Sequence, residues 1–244
     1  MSEATDDLGA RFRRLIRSHG PMPVARFMGE SNARYYASRD PLGARGPEAE
    51  SGGDFVTAPD ISQMFGEIVG VWCVDLWMRA GRKQDIIYVE LGPGRGTLAS
   101  DALRVMQRHG LTPRIHLVEG SPVLRKKQRA AMPGARFHDD LASVPEDAPI
   151  LLIANEFLDA LPVRQLVRTE TGWRERMIAL DEDDGFVFAA GPNPMDEAVP
   201  LDRRTAEPGT IIETNPGAAA VMGEAARRLA NQGGAALFID YGYL

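Results

Sequence analysis

Short apolar runs alternate along this chain with longer stretches of helical period. The runs Ile86 to Leu91, Arg114 to Val118, Ala135 to His138, Ile150 to Ala154 and Ala235 to Ile239 read as strands, and the most apolar of them, Ile150 to Ala154, suits a strand buried on both faces of a parallel sheet. The first helix, about Leu8 to His19, puts Leu8, Phe12, Leu15 and Ile16 on one stripe and is ended by His19-Gly20-Pro21. Ahead of the first strand, Phe65, Ile68, Val69, Trp72, Leu76 and Trp77 share a helix face, and Asp60 and Gln63 have capping-box spacing. Ser121 as N-cap and Pro122 at the first helical position open a helix that runs to about Met132 and is stopped by Pro133-Gly134. Asn215 and Pro216 start another, with Val221, Met222, Ala225 and Leu229 facing inward and Gly233-Gly234 closing it. Between Val163 and Ala190, alternation such as Arg164, Leu166, Arg168 predicts a β-hairpin around Glu170-Thr171-Gly172. The expected fold is an α/β sandwich, a mostly parallel sheet with helices on both faces. Residues 1–80 form a helical N-terminal extension with a lid-like loop from Arg39 to Gly53, and residues 81–244 form the main domain, with an insertion at about 163–212.

One junction carries more than topology. In Glu90-Leu91-Gly92-Pro93-Gly94-Arg95-Gly96-Thr97 a strand enters three alternating glycines and then a helix start. Bare backbone of this kind lets a ligand lie directly on the main chain. A dinucleotide fingerprint, G-x-G-x-x-G from Gly92, needs glycine where Thr97 stands. The form here, E-x-G-x-G-x-G, is that of enzymes using S-adenosylmethionine; the plain alternative is a tight connection that binds nothing. Further along, Glu119 ends the second strand and can accept both hydroxyls of a ribose, with Ser121-Pro122 following. Asp139-Asp140 end the third strand, placed for an adenine amino group. Each acid alone could be a helix cap; together with the turn they read as one site at the carboxyl ends of the strands. The fourth strand emerges at Asn155-Glu156-Phe157-Leu158-Asp159, where Asn155 and Glu156 face the transferred group unless Asn155 merely caps a helix.

Composition narrows the chemistry further. At 244 residues and 44% hydrophobic the chain can bury a full core without staples, and its lone Cys73, in an apolar helix, reads as a buried thiol. His19, His109, His116 and His138 lack metal-ligand spacing, so no metal site is expected. A net charge of -6 and a pI near 5.3 argue against a nucleic-acid partner, and the cluster Arg125-Lys126-Lys127 with Arg129 reads as the solvated side of a helix. No apolar run approaches a membrane span, so no membrane insertion is expected. The arginine-rich start, with no signal-like apolar stretch after it, is read as cytoplasmic.

Across these segments the chain resembles the MidA-like family of S-adenosylmethionine-dependent methyltransferases. The match rests on Gly53 through Glu67 (GDFVTAPDISQMFGE), Glu90 through Thr97, Asn155 through Val163 (NEFLDALPV) and Ile239-Asp240-Tyr241-Gly242-Tyr243. The resemblance implies a class I methyltransferase sandwich of Rossmann-like build, S-adenosyl-L-methionine as cofactor, and a protein-arginine substrate linked to respiratory complex assembly. The cofactor contacts it implies, joined to those read above, are Thr57, Pro59, Glu90, Gly92, Pro93, Gly94, Gly96, Glu119, Gly120, Ser121, Asp139, Asp140 and Asn155; the catalytic residues are Asn155, Glu156 and Asp159. Two departures stand out: an insert from Pro47 to Gly52 lengthens the glycine-rich loop, and the family runs on past Tyr243, so the last helix and antiparallel hairpin of its sheet are expected to be missing. A homo-oligomer is left open. Two rival readings accompany this one, a non-catalytic assembly factor that binds the donor only for shape, and a nicotinamide oxidoreductase, which Thr97 disfavours.

Overall fold

The computed structural model describes residues 7–38 and 57–241. The lid-like loop from Arg39 to Gly53, the insert within it, Gly53 to Val56 of the first family string and the end of the last one lie outside those residues. In chain order the elements are α1 (Leu8–His19), β1 (Met22–Pro23), α2 (Val24–Ser38), α3 (Ala58–Ile61), α4 (Gln63–Arg79), β2 (Ile87–Leu91), α5 (Thr97–Arg108), β3 (Arg114–Val118), α6 (Pro122–Ala131), β4 (Arg136–His138), β5 (Ile150–Asn155), β6 (Arg164–Thr169), β7 (Gly172–Leu180), β8 (Phe186–Pro194), β9 (Ile211–Thr214), α7 (Pro216–Gln232) and β10 (Gly234–Ile239). They divide into two compact units. One is made of Met1–Arg34 with Leu161–Ala219, the other of Tyr35–Ala160 with Ala220–Leu244.

The second unit holds the parallel sheet, in the order β10-β5-β2-β3-β4. All its pairings are parallel. Side chains of alternate residues leave opposite faces of a strand, and the two cores follow that alternation. Tyr88, Leu117, Leu151 and Ile153 pack under α4 and α5 on one face; Ile87, Val89, Leu91, Ile150 and Leu152 pack with Val221, Ala225 and Leu229 of α7 on the other. The class I sandwich is therefore the observed fold. Arg228 of α7, fully buried, donates to the carbonyls of Ala142, Val144 and Pro145 at 3.1, 2.9 and 3.3 Å and to Glu224, which pins the loop before β5 beneath the helix.

Helix α4 meets α5 through its small residues. A Cβ on Gly66 would lie 2.6 Å from Asp101 Cβ, and one on Gly70 would lie 2.7 Å from the carbonyl oxygen of Ala102. That close approach rotates the buried stripe onto Gly66, Val69, Gly70, Cys73, Val74 and Trp77. Ile68, expected inward, is instead 62% exposed, and on α7 Met222 is likewise turned outward. The capping expectation also shifts. Ser62, not Asp60, caps α4 by accepting from the Met64 amide, and Gln63 bonds Glu67 one turn on.

In the first unit the expected hairpin is present, with Thr169 paired to Gly172 across Glu170-Thr171. It belongs to a larger, five-stranded antiparallel sheet, β1-β7-β6-β9 with β8 on β7. Phe12 and Ile16 of α1 pack on Met22 and Ile178 of that sheet, while Leu166, Trp173 and Val199 form a second small core. Helix α1 has the expected bounds; Gly20, at φ +85°, returns its amide to the carbonyl of Ile16.

Candidate active site

The sheet's register assembles the site. Leu91 aligns with Val118 on one side and Ala154 on the other, Val118 with His138, and Ile239 with Asn155. Gly92, Glu119 and Asp139, the next residues, and Asn155, the last of β5, therefore lie along one edge, where strand order reverses between β2 and β5. Ligands of open α/β sheets gather at such a crevice.

Gly92, Gly94 and Gly96 all take positive φ, at +59°, +56° and +81°, and the turn closes with Gly96 N donating to Pro93 O at 2.7 Å before α5 begins. Phe157 lies where a side chain on Gly92 would be: a Cβ there would stand 2.9 Å from its ring edge. This contact joins the two segments singled out in the sequence. The chain turns at Glu156, which adopts φ +49°, unusual for a residue with a Cβ, and Asn155 Nδ2 donates to Glu156 Oε1 at 3.3 Å. No helix follows Asn155, so the capping alternative for it falls away.

Thr97 Oγ1 donates to Asp60 Oδ1 at 3.2 Å, which brings α3 to the start of α5. Thr57 is the N-cap residue of α3, and Pro59 is buried in its first turn. Glu119 is 8% exposed and accepts from Ser121 N at 2.8 Å and Gln128 Nε2 at 3.1 Å; burial pushes its carboxyl above the usual range, and those hydrogen bonds pull it back. Ser121 also caps α6. Asp140 caps the short turn Leu141–Ser143 through the Ser143 amide, and Asp139, well exposed, pairs with Arg125. Asp159 is raised by burial and by nearby Asp240.

The sequence reading assigned no role to three residues here. Asp240, one residue past β10, accepts from the amides of Leu158 and Asp159 at 2.8 and 3.3 Å and so holds the turn carrying Asp159. Its signal was available, as an acid at a strand's carboxyl end. Arg125, expected in solvent, donates to the carbonyls of Glu119 and His138, while Arg129 lies 4.8 Å over the ring of Phe137. Gln128 sits fully buried inside the same basic run. Cys73 is buried as expected, its thiol pushed up to about 12 by desolvation. Among the described residues no group of acids, histidines and cysteines could hold a metal, and no helix is long and apolar enough to cross a membrane.

Glu90, in β2, is 3% exposed, with Tyr88 donating its hydroxyl to Oε2 at 2.7 Å. Burial raises its pKa to about 7, the Tyr88 bond opposing. Between the ordinary value of 4.5 and about 7 the folded chain binds more protons than the unfolded one, so stability is greatest below that window and falls as pH rises through it. At about 1.4 kcal/mol per pH unit, the loss approaches about 3 kcal/mol by pH 8. Glu90→Gln is expected to remove most of this slope. Urea melts at pH 5 and pH 8 check it; an unchanged difference between the two would refute the assignment.

This edge, with bare glycine backbone, a nearly buried acid and a polar corner whose Phe157 packs on Gly92, defines an α/β protein with a ligand crevice at its strand ends. Comparison with known proteins makes the class specific. The profile of a family of S-adenosyl-L-methionine-dependent methyltransferases matches residues 68–244, and the chain belongs to that family. It is 36% identical to the protein arginine methyltransferase NDUFAF7, mitochondrial, of Xenopus tropicalis, covering 94% of this chain and 59% of that protein, and 35% identical to the Homo sapiens form, covering 93% and 57%. A Burkholderia thailandensis crystal structure with S-adenosyl-homocysteine bound superposes with a TM-score of 0.70 at 27% identity, over 98% of this chain and 63% of that one. The chain thus spans about three fifths of the length of the proteins it matches. The curated relatives are named as mitochondrial, so the expectation of a cytoplasmic location draws no support from them.

Proposed function

We propose that this chain carries the donor-binding and methyl-transferring part of a protein-arginine methyltransferase. The observation that carries the reading is the packing of Phe157 on Gly92, which sets the Asn155-Glu156 corner beside the glycine turn. The residues fit an adenosyl donor: three glycines leave the main chain of the turn bare, Phe157 and Met132 pack where side chains at Gly92 and Gly96 would stand, and Glu119 is a nearly buried carboxylate. When bound, S-adenosyl-L-methionine supplies an electrophilic methyl group on a sulfonium. Transfer from it is an in-line displacement, so the protein's task is to align and to exclude water, with no covalent nucleophile. The backbone of Gly92 to Gly96 would hold the amino-acid end and Glu119 the ribose. Asp140 already caps a turn; Asp139, paired with Arg125 through Oδ1, is assigned the adenine amino group.

A guanidinium keeps its proton at any ordinary pH, so it must be oriented and its electron density drawn to one nitrogen. Glu156 and Asp159 are assigned that task, with Asn155 as hydrogen-bonding guide; as the N–C bond forms and the C–S bond breaks, that nitrogen gives up one proton, so the product remains a monocation. Burial and, after it, repulsion from Asp240 raise the pKa of Asp159, and a cation arriving beside it opposes both. The substrate is a protein, with a subunit of a respiratory complex as the proposed partner.

Incubation of the chain with labelled donor and a cell lysate, followed by mass spectrometry of the label, is expected to find methylated arginine. Glu156→Gln should bind S-adenosyl-homocysteine as the parent does while turnover drops about 100-fold or more. Turnover at the native rate would strike Glu156 from the mechanism. A donor-bound chain whose partner never gains a methyl group would leave the assembly role in place of the enzyme.

A further inference from the structure

We infer that Gln128 is a positioning residue for donor binding, tying the ribose-gripping carboxylate of Glu119 to the glycine turn. The inference rests on the reading of this cleft as an S-adenosylmethionine site.

Strand pairing does not by itself fix these two groups against each other. The last ladder bond between β2 and β3 runs from Gly92 N to Val118 O, at 2.9 Å, and both the turn and Glu119 lie beyond it. Gln128 supplies the next link. From α6 its Nε2 donates to Gly94 O at 2.6 Å and to Glu119 Oε2 at 3.1 Å, which uses both amide hydrogens. Ser121 N holds the other carboxylate oxygen at 2.8 Å, so Glu119 is gripped from two sides. Met132 and Gln128 also back the turn directly, since a Cβ on Gly96 would lie 2.6 Å from Met132 Cε and 3.7 Å from Gln128 Cγ.

The chemistry of the residue separates positioning from space filling. Gln128 has no exposed surface, and its Oε1 is buried with no hydrogen-bond partner among the described residues. Leaving an amide oxygen unpaired in the interior is unfavourable, so a site that needed only volume would be served better by methionine or leucine. What the amide adds is its pair of donors, one to each half of the cradle. It fixes the distance between the main chain under the amino-acid end of the ligand and the acid under the ribose, and so favours adenosyl compounds with free ribose hydroxyls.

Gln128→Met keeps length and volume and removes both donors. Calorimetry at pH 8 would compare S-adenosyl-homocysteine with its 2′,3′-dideoxyribose counterpart on parent and variant. The expected result is a loss of about tenfold for the hydroxylated ligand, as for removal of one hydrogen bond to a charged group, and less than threefold for the dideoxy ligand, whose contact with Glu119 is already gone. Gln128→Glu gives a second reading of the same link: its carboxylate would face Glu119 and weaken S-adenosyl-homocysteine more than the methionine does. Equal losses for both ligands in both variants would show a packing role and overturn the inference, as would no loss. If the parent binds neither ligand, it is the donor site itself that fails.

Discussion

Glu119→Gln is expected to weaken S-adenosyl-homocysteine binding at least 100-fold while the chain stays folded. Hydrogen bonds to a charged acceptor contribute about 1.5–3 kcal/mol each. A carboxylate that accepts both ribose hydroxyls therefore supplies about 3–6 kcal/mol, or roughly 100- to 10,000-fold in affinity. The substitution does more than remove charge. Both carboxylate oxygens already face donors, Ser121 N on one and Gln128 Nε2 on the other, so either orientation of the new amide sets an N–H against a donor inside a nearly closed pocket. Calorimetry measures the affinity and circular dichroism the fold. A dissociation constant within threefold of the parent's would mean that the ribose lies elsewhere, and the assignment of this edge would go with it.

That prediction could be framed from the sequence because the parallel sheet is where local pattern and tertiary environment agree. β2 and β5 are buried along almost their whole length, so their apolar runs have one reading, and the residues that end them must lie at one edge whatever the helices do. The glycines are legible for the same reason: three positive φ values in five residues leave few other side chains acceptable. Where the reading missed, geometry between elements decided. Bulky residues marked the expected inner face of α4, but Gly66 and Gly70 let α5 approach, and the stripe turned by enough to expose Ile68. Gln128 is hidden by its neighbours, since nothing in a basic helical run says that one member points at a strand end. β8 eluded the pattern because Gly191, Pro192 and Pro194 interrupt it and most of its residues are exposed; its partner β7 holds it in place.

Gly234→Ala is expected to destabilise the chain severely. Gly234 takes φ +115° and opens β10 opposite Ile150 of β5. A Cβ there would sit inside the carbonyl oxygen of Ile150, 2.6 Å from its amide nitrogen and 2.8 Å from its carbonyl carbon. No rotamer relieves an overlap with backbone, so β10 must lift off or shift register. A one-residue slip would carry its side chains to the wrong faces. The expected cost exceeds about 4 kcal/mol, the range reserved for disrupted cores. Gly233→Ala is the matched control. Its φ is +75° with nothing within 4 Å of the added carbon, so only the left-handed backbone penalty of about 1–2 kcal/mol applies. Chemical denaturation of the pair separates steric overlap from conformational preference, and equal midpoints would reject the overlap. The consequence reaches the site through register alone: β10 aligned from Gly234 sets Ile239 against Asn155 and places Asp240 to accept the amides of Leu158 and Asp159. Any folded fraction of Gly234→Ala is therefore expected to lose order in the Asp159 turn while still binding donor at Gly92 to Gly96.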